Sequence, residues 1–231
     1  LVGPSLGLAG QMPEIKTAEF SEPRDDAASA SVNLALGVGN TTVNPLTDSA
    51  TLFEAQISYV GDLDYNVSGT TQKVIRLNER GETNVSNWNF GFLGPIFNID
   101  QELDWNVGLS TAVPLSLNIS GGVGSSALNL GQLQLTGLTL NVGVGSANLT
   151  LPGAEEAYNV TVSGGVGETS ISVPDGAAVS ITINGGVGST TIDVPDGAAV
   201  RVDARSGVGS INVPSSFTRT SGSDEQFLSS S

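Results

Sequence analysis

The tetrapeptide Gly-Val-Gly-Ser begins at Gly122, Gly143, Gly186 and Gly207, with Gly-Val-Gly-Glu at Gly165, so successive steps are 21, 22, 21 and 21 residues. A period of that size is short for a helical repeat and long enough for two strands and two turns. Between the glycine corners, aliphatic residues fall at every second position, the spacing of a half-buried strand. The expected fold is all-β: a β-solenoid of ~21-residue two-stranded coils, each stacked on the last.

The repeats align into files. The strand after each Gly-Val-Gly points Leu128/Leu130, Leu149/Leu151, Ile171/Val173, Ile192/Val194 and Ile211/Val213 inward. The other strand points Leu117/Ile119, Leu138/Leu140, Val160/Val162, Ile181/Ile183 and Val202/Ala204 inward. Pro152-Gly153, Pro174-Asp175-Gly176 and Pro195-Asp196-Gly197 supply turn chemistry between them. One coil buries too few aliphatics to offset the entropy of ordering its backbone, so coils stabilise one another through shared ladders and cores. Glycine at each corner reaches positive φ and leaves room for the corner above. Gly186→Val is therefore expected to be more damaging than Thr190→Val, with Thr190 read as outward.

Four regions follow. Residues 1–30 read as an extended N-terminal arm, and residues 31–115 as a β-rich block continuous with the solenoid. Residues 116–214 are the regular solenoid, and residues 215–231 a Ser-rich tail or cap. In the second region Gly37-Val38-Gly39-Asn40-Thr41-Thr42-Val43 matches the later corners and predicts an early coil. Strands are expected at Leu52–Tyr59, Leu63–Val67 and Lys73–Leu77, with a turn over Asn78 to Gly81. Trp88, Phe90, Phe92, Phe97 and Trp105 gather both tryptophans and three of the seven phenylalanines within 18 positions and read as a local core closing one end.

Composition narrows function. A net charge of −15, with 2 Lys and 6 Arg, opposes binding to nucleic acid or to an anionic membrane surface. The sequence has neither Cys nor His, which removes disulfides, thiolate metal sites, the commonest zinc ligands and the commonest general base. No apolar run is long enough for a membrane-spanning helix. The start at Leu1 reads as a processed or truncated product.

The strand-rich block joined to Gly-Val-Gly-Ser coils resembles the bacterial toast-rack proteins, most clearly over Ser31–Pro45, Leu52–Val67 and Trp105–Leu130. It is similar to the C-terminal domain of LiaF-type envelope-stress regulators, although those carry transmembrane helices. The resemblance runs over roughly Ser31–Pro214. It implies an extracytoplasmic, cell-envelope β-solenoid, placed outside the cell or on its surface after removal of an export signal, and it implies no catalytic residues.

Candidate chemistry is sparse. Gly-Gly-Val-Gly corners resemble calcium-binding nonapeptides, but Thr169 and Thr190 stand where an Asp is needed. Asp175 and Asp196 are explained by their turns. Glu155/Glu156 and Asp25/Asp26 are adjacent pairs, which diverge in an extended chain and cannot converge on a glycosidic bond. We therefore expect no enzyme, no cofactor and no metal. Glycosylation sequons stand at Asn40, Asn66, Asn84, Asn118, Asn148 and Asn159. The arm Ser5-Leu6-Gly7-Leu8-Ala9 is uncharged and alternating, suited to adding a strand to another subunit. Leu6, Leu8, Phe217 and Phe227 are the candidate subunit-interface residues. The expected function is a structural extracellular protein that polymerises head to tail with copies of itself. The alternatives are a monomeric, envelope-tethered module that binds cell-envelope components or a stress signal, and a carbohydrate-active enzyme.

Overall fold

A strand sends alternate side chains to opposite faces, so each alternating segment has one face to bury and needs a second sheet against which to bury it. The computed structural model describes residues 14–47, 50–80, 103–153, 156–196, 198–205, 207–212, 214, 217–220 and 225–229. In chain order its first strands are β1 (Lys16–Pro23), β2 (Ser29–Ala35), β3 (Asn40–Leu46), β4 (Thr51–Tyr59), β5 (Asp62–Ser68), β6 (Gln72–Arg80) and β7 (Asp104–Ser110). The repeats supply β8 (Pro114–Ser120), β9 (Val123–Asn129), β10 (Gln134–Asn141), β11 (Val144–Thr150), β12 (Tyr158–Ser163) and β13 (Val166–Ser172). They continue through β14 (Ala178–Asn184), β15 (Val187–Asp193), β16 (Ala199–Arg205) and β17 (Val208–Asn212), followed by β18 (Phe217–Thr220) and β19 (Glu225–Ser229).

These strands form two sheets. Sheet A runs β1-β4-β7-β3-β9-β11-β13-β15-β17, and sheet B runs β18-β19-β16-β14-β12-β10-β8-β2-β6-β5. From β8 onward the chain alternates between them, so each coil gives one parallel strand to each sheet. Leu128, Leu149, Ile171 and Ile192 stand in register in sheet A. Leu117, Leu138, Val160, Ile181 and Val202 do so in sheet B. All nine are at most 3% exposed, and they face one another as a single thin core. The files continue into the N-terminal block, through Val43 and Val107 in sheet A and through Val32 and Ile75 in sheet B. The expected early coil is therefore β2–β3.

The glycine corners show why the repeat tolerates no other residue there. Gly145 and Gly188 both have φ of 141°, and an added Cβ would lie 1.9 and 1.8 Å from the carbonyl oxygens of Gly124 and Gly167 in the coil before. Corner backbone stacks directly on corner backbone.

The N-terminal block departs from chain order. After β3 the chain leaves the stack, and β6 and β7 return to pair in parallel with the far edges of β2 and β3. It then crosses back, and β8 takes the opposite edge of β2. Antiparallel strands finish this end: β4 on β7, β1 on β4, and β5 on β6. At the other end β19 lies antiparallel on β16, with β18 beside it.

Four local expectations change. The segment read as an arm is sheet structure from Lys16 on, because β1 alternates and finds the free edge of β4. Asn78 to Arg80 continue β6 and do not turn, since β5 pairs with all three and β2 also holds Asn78. Thr190 shares the inward face with Ile192, two residues on, and is half-buried in file with buried Thr169 and Ala147. Ile211 sits opposite Thr190 and not Ile192, because the ladder matches Gly209 to Gly188 and Ile211 comes two positions after its glycine where Ile192 comes four after its own. Of the aromatic cluster, Trp105 is a buried core residue of β7; Trp88, Phe90, Phe92 and Phe97 lie outside the described residues.

Candidate functional site

Side-chain chemistry concentrates in the N-terminal block. Lys73 alternates with Ile75 and Leu77 in β6, so the pleat turns it inward, and it is 5% exposed. Its Nζ donates to Glu22 Oε1, Asp25 Oδ2 and the Pro23 carbonyl, each at 2.8 Å. Asp25, at φ 47°, holds the left-handed turn that aims its carboxylate there. Burial opposes the Lys73 charge, but its hydrogen bonds to Asp25 and Glu22 and the charges of those carboxylates outweigh it and hold the ammonium above its ordinary value. This clamp joins the end of β1 in sheet A to β6 in sheet B. Beside it, the Tyr65 ring lies 4.4 Å from Phe20, and its hydroxyl has no hydrogen-bond partner among the described residues. Burial, then the Glu22 charge, raise that hydroxyl.

Glu79 lies farther along β6 and is half-buried. Burial raises its carboxyl, and the backbone N–H groups of Val60 and Gly37 offset this in part. Its Oε2, like Nε1 of Trp105, is buried without a partner among the described residues. In the repeats, burial likewise raises Tyr158, whose hydroxyl donates to the Pro152 carbonyl at 2.8 Å. These groups brace the fold. A fully paired ammonium is no nucleophile.

The outer face of sheet A carries an open concavity of about 520 Å³ across β1, β4, β7 and β3, floored by Gly108 and edged by Glu19, Ser21, Glu54, Gln56, Asn44 and Asn106. Gln56 Nε2 donates to Glu19 Oε1 at 3.0 Å. The two carboxylates lie on a solvent-open face. Among the described residues no three Asp, Glu, His or Cys groups gather as a metal ion would require, and no helix is long and apolar enough to cross a membrane.

The sheet edges differ sharply. β1 carries Lys16, Glu19 and Glu22 and ends at Pro23, and β5 carries Asp62 and Asp64; charges and proline blunt edges against unwanted pairing. β17 has the sequence Val-Gly-Ser-Ile-Asn, with neither, and among the described residues no strand pairs with its outer side. Val208 there is 73% exposed, at the end of a file through Val187, Val166 and Val144 that are 50% exposed each.

The open stack of Gly-Val-Gly coils with its crossed-back N-terminal block has a counterpart in a described family. Residues 11–172 match the model of the N-terminal domain of toast_rack, DUF2154. The chain belongs to the toast-rack family. Among solved structures this toast-rack chain is similar to a candidate cell-adhesion protein of Clostridium sporogenes, at 20% identity and a TM-score of 0.62, over 86% of this chain and 98% of that one. A candidate adhesin of Bacteroides fragilis matches at 14% identity and a TM-score of 0.35, over 86% and 96% of the two chains. No curated protein matches the chain.

The structure places the residues singled out in the sequence as follows. Asn40, Asn66, Asn118, Asn148 and Asn159 are all exposed on outer faces, spread over both sheets; Asn40 Nδ2 donates to Asp104 Oδ1 at 3.4 Å. Asn84, Leu6 and Leu8 lie outside the described residues. Phe217 in β18 is half-buried against the core, and Phe227 in β19 stands opposite Val202. Both phenylalanines therefore belong to a hairpin that covers an edge of their own chain. Sequence reasoning missed the Lys73 clamp, though its signal was present: a lysine on the same alternating face as Ile75 and Leu77.

Proposed function

We infer that this toast-rack chain is a non-catalytic structural protein of the cell surface or envelope that assembles head to tail with copies of itself into a filament. The observation that carries this reading is the unequal finish of the two ends. One is blunted in both sheets by charged antiparallel strands, whereas at the other the β18–β19 hairpin covers sheet B and, among the described residues, no strand covers the neutral parallel edge of β17 in sheet A. An open heterologous contact of that kind propagates. The likeness to a candidate cell-adhesion protein supports a surface location; removal of an export signal and glycans at the sequons are further parts of this proposal. Partners are other copies and cell-envelope components; nucleic acid is opposed by the net charge. Sedimentation and electron microscopy of the purified chain at micromolar concentration test it. Fibres are expected, and a sharp 23.4 kDa species would refute assembly.

The second reading is a monomeric, envelope-tethered binding module. The concavity around Gly108 favours it, since Glu19, Gln56, Glu54 and Asn106 offer both donors and acceptors to a polar ligand.

A further inference from the structure

Among the described residues, no strand pairs with the outer side of β17. Val208 N–H bonds to the carbonyl of Gly186, the residue just before β15. Successive residues of a strand point their backbone groups to opposite sides, so Gly209 and Ile211 direct N–H and C=O away from the sheet. Ile211 is only half-buried, because the file of core residues above it stops there. Whatever completes this edge must be an uncharged extended segment with an aliphatic at every second position.

The same chain contains such a segment. Ser5-Leu6-Gly7-Leu8-Ala9 is neutral, with Leu6 and Leu8 on one face of an extended strand and small residues on the other. It precedes β1, which is the far edge of sheet A, eight strand spacings from β17. At about 4.8 Å per spacing that is roughly 38 Å. The eight residues from Leu8 to Lys16 span at most about 28 Å. The segment cannot lie along its own β17, but it reaches that of a copy stacked against β1. Direct pairing of β1 with β17 is opposed by the charges and proline of β1.

We propose that Ser5–Ala9 of one copy adds as a strand to the β17 edge of the next, with Leu6 and Leu8 covering Ile211. This rests on the head-to-tail reading above and names its joint. The added strand satisfies the open groups of Gly209 and Ile211 and extends the core by one rung, the strand-addition mode of recognition.

The test uses the full chain and two variants. L6D/L8D keeps the edge and spoils the arm, whereas I211K keeps the arm and spoils the edge. Each alone is expected to lose all species above monomer in sedimentation. An equimolar mixture is expected to form a one-to-one dimer and nothing larger, because each pair retains one sound joint. If either variant still polymerises, or the mixture stays monomeric, the joint is overturned while fibres of the unaltered chain leave head-to-tail assembly standing. If the unaltered chain is itself monomeric, assembly as a whole fails. Should a variant not fold by thermal unfolding, a synthetic peptide of residues 1–10 added to the unaltered chain serves instead. It is expected to shorten the fibres, and fibres of unchanged length at saturating peptide overturn the proposal.

Discussion

The regular coils and the N-terminal block are built from the same alternating strands, yet they are stabilised differently. From β8 to β17 every strand pairs in parallel with the equivalent strand one coil away. Glycine stacks on glycine, aliphatic on aliphatic, and the outer faces hold mostly Ser, Thr and Asn. Any one coil contacts only its neighbours. In the block, strands distant in sequence meet, β4 with β7 and β2 with β6, and a buried ammonium with two carboxylates fastens the sheets together. The contrast shows that a stack can be extended by repetition but cannot be ended by it. Termination requires antiparallel strands, charge and side-chain bonds that occur once.

The comparison breaks most severely at a corner. Gly145→Val adds a Cβ 1.9 Å from a carbonyl oxygen at a φ of 141°, and a loss of about 4 kcal/mol or more is expected in chemical denaturation. An unfolding midpoint within error of the unaltered chain would show that corners yield. In the block, Lys73→Met leaves Glu22 and Asp25 facing each other without their cation. About 3 kcal/mol is expected, the low end for breaking a buried pair because Asp25 is 60% exposed. The Lys73 value is raised in the fold above 10.5, so its stabilisation is complete below 10.5 and lost as pH climbs through the raised value. Thermal melts of the two chains should therefore converge at alkaline pH; a constant gap would refute the ion-pair account.

Smaller effects sharpen the same comparison. Glu79 has a carboxyl raised by burial above 4.5, so the stability it confers is present below 4.5 and lost as pH rises through its folded value. Glu79→Gln keeps an acceptor for the N–H groups of Val60 and Gly37 and removes that dependence. It should stabilise the protein at neutral pH by under about 1 kcal/mol after solvent screening, with no gain in acid; a loss at both pH values would contradict it. The smallest change is expected at Thr190→Val, half-buried between Thr169 and Ile211. It should stay within about 0.5 kcal/mol, read from the same denaturation curves.

The files at Leu128, Leu149, Ile171 and Ile192 were legible because each lies four residues after its positive-φ glycine, a spacing carried wholly by local sequence. Ile211 shows the limit: the same motif shortened by two residues shifts the side chain to a different file, and only the ladder reveals it. The crossing back of β7 to β8 was not legible, since either edge of β2 presents equivalent bonds to a parallel strand. Lys73 and Asp25 meet across 48 residues, and no spacing rule connects them. The exposure of Asn118 and Asn148 was legible, because each alternates with buried neighbours such as Leu117 and Leu149.

Sequence alone determined the coil: its length, its inward face, and the glycines that let corners stack, because each depends on groups within a few residues. Tertiary structure decided how the stack ends, since an edge is blunted or left open by segments that arrive from elsewhere in the chain. The two ends differ for that reason, and among the described residues β17 is the edge strand that carries neither charge nor proline.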